Sequence, residues 1–304
     1  MSSPSHSSSS RAILYAFLAN LGIAAAKSGA ALYTASGSML AEAIHSFADC
    51  GNQVLLYIGM RQALRPADRE HPMGYGKITY FWSFIVAILL FSMGGLFSIH
   101  EGWQKLRQPG ELHQAWIALV VLGVSIVLES FSLLGALREI RVLRARRRFR
   151  EWLAQTRNVE LVVVLGEDIA AITGLVLAFI FVTIAAMTGD SVYDAVGSMT
   201  IGAVLIGVSI FISLRIRSLI TGRSAEPELE ASIQDIIRKD ENIEQLLHLI
   251  TLQFGPHVMV AAKLKMKAGI SIETAVEHIN RLEQHIREAE PAVHWCFIEP
   301  DFMD

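Results

Sequence analysis

Six stretches of this 304-residue chain, near 12–32, 37–62, 78–98, 115–137, 159–188 and 194–214, are apolar over lengths that a soluble fold rarely accommodates. A helix rising about 1.5 Å per residue needs roughly 20 apolar residues to cross a hydrocarbon layer about 30 Å thick, so each stretch reads as a spanning helix. Composition agrees: 52% of residues are hydrophobic and only 18% charged, where soluble domains carry about a quarter charged. An all-soluble enzyme is excluded. The net charge of −3 provides no global basic field for nucleic acid. Cys50 and Cys296 lie in different segments, which removes both a disulfide framework and a CxxC metal site.

Basic residues in short loops set orientation. They gather after spans two (Arg61, Arg65, Arg69, Lys77), four (eight arginines over 138–157) and six (Arg215, Arg217, Arg223). The opposite side has only Lys105 and Arg107 in loop 99–114. Both termini are therefore expected in the cytoplasm. The arginine run 138–157 lacks aromatic interleaving and reads as a topological anchor, with anionic lipid as the other option and nucleic acid set aside. The first ten residues, MSSPSHSSSS, read as a disordered tail without a signal or transit peptide, which favours a bacterial inner membrane.

The pattern changes after residue 220. Residues 227–239 and 272–289 are amphipathic helices, 243–253, 258–266 and 293–299 alternate like strands, and Gly255-Pro256 marks a turn. The expected architecture is thus a tail (1–10), an all-α six-helix membrane domain (11–220) and a small cytoplasmic α+β domain (221–304). That last domain resembles a ferredoxin-like fold lacking its first strand. Its sheet leaves apolar surface through which two copies could pair.

Ionisable residues inside spans are costly and functional by default. They are Lys27, Glu42, His45, Asp49, Glu129, Glu167 and Asp168. His45 and Asp49, four apart, share a helix face and can close on one ion. Imidazole with carboxylate suits zinc, with manganese, iron or cobalt as options. Asp168 falls at a matching depth near mid-bilayer, so its helix is the expected second contributor. The competing reading is a satisfied buried pair, with His45 bonded to a hydroxyl. Glu42 and Lys27 are almost equidistant from the 33–36 connection and read as an ion pair. Glu129 reads equally as pathway lining or as a partner of a neighbouring helix.

Six spans, H-S-F-A-D in span two, the loop P-A-D-R-E-H-P-M-G-Y-G-K and the α+β tail together resemble the cation diffusion facilitators, over residues 11–304. H-P-M-G-Y-G-K, L-E-S at 128–130 and G-E-D at 166–168 are most similar to a sub-branch that includes a mitochondrial zinc transporter of animals. The resemblance implies a homodimer that exchanges a divalent cation for protons by alternating access. It implies ligands from His45, Asp49 and Asp168, while the fourth family position falls on Val164, leaving Glu167 to supply the missing oxygen. It implies a second, interfacial metal site of which Asp68 and His71 remain and Tyr75 replaces a histidine. In the tail, the regulatory cluster's positions hold Leu247, Lys263 and Phe297, and His248, His257 and His294 read as sheet or surface histidines. Lys77 matches a lysine whose acidic partner position is Thr221 here, with Glu226 or Glu228 as substitutes.

The expected activity is proton-coupled export of a divalent cation, zinc first, with the bilayer and a second copy as partners and no nucleic acid or small organic substrate. His45 suits proton exchange because an ordinary imidazole titrates near 6.5. The alternatives are a transport-inactive binding or scaffold paralogue, motivated by Val164, and an exporter of manganese, iron or cobalt. An enzyme is not expected, since no H-E-x-x-H occurs and no Ser/His/Asp set shares a depth.

Overall fold

The computed structural model describes residues 6–108, 114–144 and 146–303, and within the first helix side chains from Asn20 onward. Long helices come first: α1 (His6–Thr34), α2 (Gly37–Ala63), α3 (Ile78–Leu89) continuing through a π-helical segment Leu90–Leu96 into α4 (Phe97–Arg107), and α5 (Ala115–Leu143). The short α6 (Phe149–Gln155) precedes α7 (Val159–Thr188) and α8 (Val192–Ile220). The tail is α9 (Pro227–Lys239), β1 (Ile243–Phe254), β2 (His257–Met266), α10 (Ile272–Ala289) and β3 (Val293–Pro300). Among the described residues, four helices are long and apolar enough to cross a membrane: Ile78–Arg107, Ala115–Leu143, Val159–Thr188 and Val192–Ile220. α1 and α2 have 29 and 27 residues. They match the length of the other four, and α2 is diluted by Glu42, His45, Asp49 and Asn52.

Two expectations change. Residues 6–10 belong to α1 rather than to a disordered tail, while residues 1–5 lie outside the described residues. Serine costs a helix only a few tenths of a kcal/mol, so a helix nucleated downstream extends through this run. The chain also does not divide at residue 220. One compact unit gathers the chain up to Gly59 with Trp82–Ala145 and Glu160–Arg215. The other gathers Met60–Phe81, Arg146–Val159 and Ile216–Asp304.

In the helical unit, a buried carboxylate organises the start of α2. Asp194, at the head of α8, accepts hydrogen bonds from the Ser36 hydroxyl (2.7 Å) and from the backbone N–H groups of Gly37 (2.5 Å) and Ser38 (3.1 Å). Ser36 Oγ in turn accepts the Met39 N–H at 3.1 Å, and Lys105 Nζ stands 3.5 Å from Asp194. Helix N-termini leave four N–H groups without intrahelical partners and favour negative charge. One side chain thus meets both demands where water is excluded. The π segment and α4 lie against α8 through small residues, with Ser198 donating to the Ser98 carbonyl at 2.8 Å. A Cβ on Gly202 would sit 2.6 Å from the Gly95 carbonyl oxygen. Membrane helices approach this closely only where side chains are small.

In the other unit, β1 pairs antiparallel with β2, and β2 parallel with β3, in the order β1-β2-β3. The two-residue connection Gly255-Pro256 joins the first pair, and Gly255 adopts φ +62° with its Cα region against Gly76. Leu282 and Ile286 of α10, Ile233 and Ile237 of α9, and Val258, Val260, Val293 and Cys296 of the sheet form the core. Burial pushes the Cys296 thiol up to about 11. The helix and strand boundaries follow the sequence expectation closely, because helix period 3.6 and strand period 2 are both clean here. The fold class is therefore an α-helical membrane unit with apolar spans, followed by a small three-stranded α+β unit.

Gly202→Ala is expected to lower the thermal midpoint in detergent, since overpacking costs about 1–3 kcal/mol. Gly207→Ala, with nothing within 4 Å of its added Cβ, is expected to melt with the parent, and equal midpoints for the two variants would contradict the close approach.

Candidate functional site

A cavity of about 90 Å³ opens inside the helical unit. Its lining includes Asn20 of α1, Ser46, Asp49 and Gln53 of α2, Glu129 and Ser132 of α5, and Val164, Glu167 and Asp168 of α7. One water needs roughly 10–15 Å³ of such volume, so the space admits an ion with part of its hydration shell. The helical period explains the gathering. Ser46, Asp49 and Gln53 are successive steps of three and four residues along α2, as are Val164, Glu167/Asp168 and Ala171 along α7.

The structure brings Asp49, Glu129, Glu167 and Asp168 to this one cavity. His45 is fully buried beside it, its Nε2 3.5 Å from Asp49 Oδ2. Neither ring nitrogen of His45 has a hydrogen-bond partner among the described residues, and neither do Asp49 Oδ1 and Asp168 Oδ2. A hydroxyl partner for His45, the competing expectation, is therefore not formed.

The groups line one space without closing on a single point. Among the described residues, no three His, Cys, Asp or Glu side chains stand at metal-holding spacing. Other bonds hold the carboxylates apart: Asn52 Nδ2 donates to Glu167 Oε1 at 2.6 Å, and Ser132 Oγ donates to Asp168 Oδ1 at 3.1 Å. Sequence reasoning missed Asn52 and Ser132, along with Asn20 and Gln53. The usable signal was their spacing, since Asn52 lies three residues after Asp49 and Ser132 three after Glu129. Val164 lines the same cavity and offers it only methyl groups.

Glu42 and Lys27 lie behind the cavity wall, which Lys27 touches at Ser46. Lys27 Nζ lies 3.3 Å from Glu42 Oε2 and donates to Ser46 Oγ at 2.7 Å, with both charged side chains fully buried. The short α1–α2 connection positions this pair, and Gly174 of α7 leaves the room that the Glu42 carboxylate fills.

In the other unit, Asp68 and His71 face each other at 3.5 Å, but Tyr75 takes the second Asp68 oxygen with a 2.6 Å hydrogen bond. Asp68 also accepts the N–H groups of His71 (2.7 Å) and Glu70 (3.0 Å), and the His71 and Tyr75 rings stack at 4.1 Å. Tyr75 first, then these N–H groups, hold the Asp68 carboxyl below its usual range. The segment is a turn fixed by its own hydrogen bonds. The substitute partners expected for Lys77 are also corrected: Glu226 and Glu228 lie 3.0 and 3.4 Å from Arg147, while Lys77 Nζ sits over the Phe254 ring at 5.0 Å. Arg147 takes both acids. Lys263 pairs with Asp301 at 3.0 Å.

The profile of the cation efflux transmembrane domain matches residues 13–217. The chain is 32% identical over 255 residues to the proton-coupled zinc antiporter SLC30A9, mitochondrial, of Xenopus laevis, covering 83% of this chain and 45% of that protein. It is 30% identical over 282 residues to metal tolerance protein C4 of Arabidopsis thaliana, covering 92% and 61%. It is also 30% identical over 101 residues to magnetosome protein MamM of Paramagnetospirillum magneticum, covering 32% of each. The chain thus spans less than two thirds of the length of the animal and plant relatives it matches.

The Lys27–Glu42 geometry yields a stability test. Removing one partner of a buried ion pair costs about 3–5 kcal/mol, whereas replacing both with neutral groups is often tolerated. Lys27→Met is expected to lower the melting midpoint in detergent sharply, and Lys27→Met with Glu42→Gln to recover much of the loss. A Lys27→Met protein that melts with the parent would contradict a structural pairing.

Proposed function

This chain belongs to the cation efflux family, and from that premise we propose that it exports a divalent metal cation, zinc first, in exchange for protons. The observation that carries the reading is the shared cavity: carboxylates from α2, α5 and α7 line one space inside helices of spanning length, with a buried imidazole behind Asp49. A divalent ion cannot enter hydrocarbon without several compensating charges, and this cavity holds such charges. In this reading His45, Asp49 and Asp168 bind the ion and Glu167 supplies the oxygen that Val164 does not. Glu129 lines the approach.

Binding requires a neutral imidazole and ionised carboxylates, so metal and protons compete for the same groups. Protons arriving from the far side then displace the ion. Asn52 holds Glu167 Oε1 with a 2.6 Å bond, which leaves Oε2 for the metal and makes Asn52 a positioning residue for that ligand. Six spans, cytoplasmic termini and a homodimer complete the proposal. The name of the animal relatives supports zinc and proton coupling, and imidazole with oxygen donors is compatible with zinc.

A second reading, a binding or scaffold paralogue without transport, draws on Val164 and on the absence of three donors at metal-holding spacing among the described residues. Flux separates the two. In proteoliposomes with an imposed pH gradient, the parent chain is expected to move zinc, and Asp49→Ala and Asp168→Ala are each expected to abolish that flux while eluting as the parent does. Flux retained in either variant would refute the site; no flux in the parent would favour the scaffold.

A further inference from the structure

The outward face of α5 carries a pattern that the transport site does not use. Trp116, Val120, Val124, Val127, Phe131 and Leu134 follow at steps of three or four residues and so share one face. They are 48–69% exposed. The same stepping continues to Arg138 and Arg141, both exposed and neither with an ion pair among the described residues. Glu139, the nearest acid in sequence, points about 100° away around the helix. Trp116 and Arg138 are 22 residues apart, about 33 Å at about 1.5 Å per residue. This is close to the thickness of a hydrocarbon layer, about 30 Å. Tryptophan at one boundary and basic residues at the other frame a lipid-facing surface.

We propose that Arg138 and Arg141 bind the phosphate of an anionic phospholipid whose acyl chains lie along Phe131 and Leu134. Three features favour this occupant. The apolar stripe runs without interruption into the two cations, so an amphiphile fits where a soluble acidic partner would leave the stripe uncovered. Both cations are arginine, and residues 138–157 contain eight arginines and no lysine; a planar guanidinium grips phosphate oxygens in pairs, while an ammonium acts as a point charge. Basic residues at the cytoplasmic end of a span also meet the negatively charged leaflet. The inference rests on the reading that α5 crosses a membrane with this end cytoplasmic, and not on metal transport.

The test uses the full chain reconstituted in mixed phosphatidylcholine and phosphatidylglycerol, with native mass spectrometry counting the lipids retained on the purified protein. The parent is expected to enrich phosphatidylglycerol over its bilayer share. Arg138→Gln with Arg141→Gln is expected to cut that enrichment about fivefold or more, given the strength of single basic residues at an anionic surface. Arg138→Lys with Arg141→Lys, which keeps charge and helix, is expected to fall between. Unchanged enrichment in the Gln pair, no enrichment in the parent, or removal of the bound lipid by excess inorganic phosphate would each overturn the proposal. Release of the parent chain from vesicles by alkaline carbonate would instead defeat the membrane reading beneath it.

Discussion

A carboxylate enclosed by apolar helices must be matched by a cation, by hydrogen-bond donors or by water, because burying it alone costs several kcal/mol. That constraint organises the helical unit. Asp194 is matched by the N-terminus of α2, the Ser36 hydroxyl and Lys105. Glu42 is matched by Lys27 at Oε2, and its Oε1 has no partner among the described residues. These two groups set where α2 begins and how it lies beside α1, and so where His45 and Asp49 sit. The remaining carboxylates are matched only in part: Glu167 by Asn52, Asp168 by Ser132, Asp49 by the contact with His45. Asp49 Oδ1 and Asp168 Oδ2 at the cavity, with His45 beside it, are buried without a partner among the described residues, and so is Glu42 Oε1.

Much of this was legible in the sequence, and the rest was not, for physical reasons. Long apolar runs fix helices, and clean periods fix the α+β unit, since both signals are local. The Lys27–Glu42 pair was readable because a two-residue connection makes two helices antiparallel neighbours. Depth counting along α2 and α7 placed Asp49 and Asp168 at one level, and both line one cavity. What escaped depends on distant partners or on uncharged groups. The Asp194 cap joins residues 156–158 apart, and nothing local announces it. Asn52 and Ser132 carry no charge, so a search for buried ions passes over them. The π segment Leu90–Leu96, beside His45 through Gly94, likewise has no reliable sequence signal. Such segments cluster at functional sites.

The segments that join the α+β unit show a further limit of linear reading. Residues 60–81 and 146–159 were assigned to the membrane part from their place between spans, yet they gather with the chain from Ile216 onward. The guanidinium of Arg157 explains part of this, donating to the carbonyls of Ser224 (2.7 Å) and Ala225 (2.9 Å). Burial lowers that guanidinium to about 10, which leaves it charged at neutral pH. Arg147 adds its contacts to Glu226 and Glu228. Part of the charge of the basic loops therefore goes to intramolecular bonds, and Arg138 and Arg141 are left for the proposed lipid.

In the proposed site, an imidazole from α2 and carboxylates from α2 and α7 hold one divalent ion. Zinc K-edge X-ray absorption on the purified full-length chain, loaded with one equivalent of zinc, addresses it most directly. The expected spectrum has one imidazole nitrogen and oxygen neighbours at about 2.0–2.2 Å, with the imidazole signature lost in His45→Ala. A sulfur neighbour at about 2.3 Å, drawing in the adjacent Cys50, or an imidazole signature unchanged in His45→Ala would contradict it.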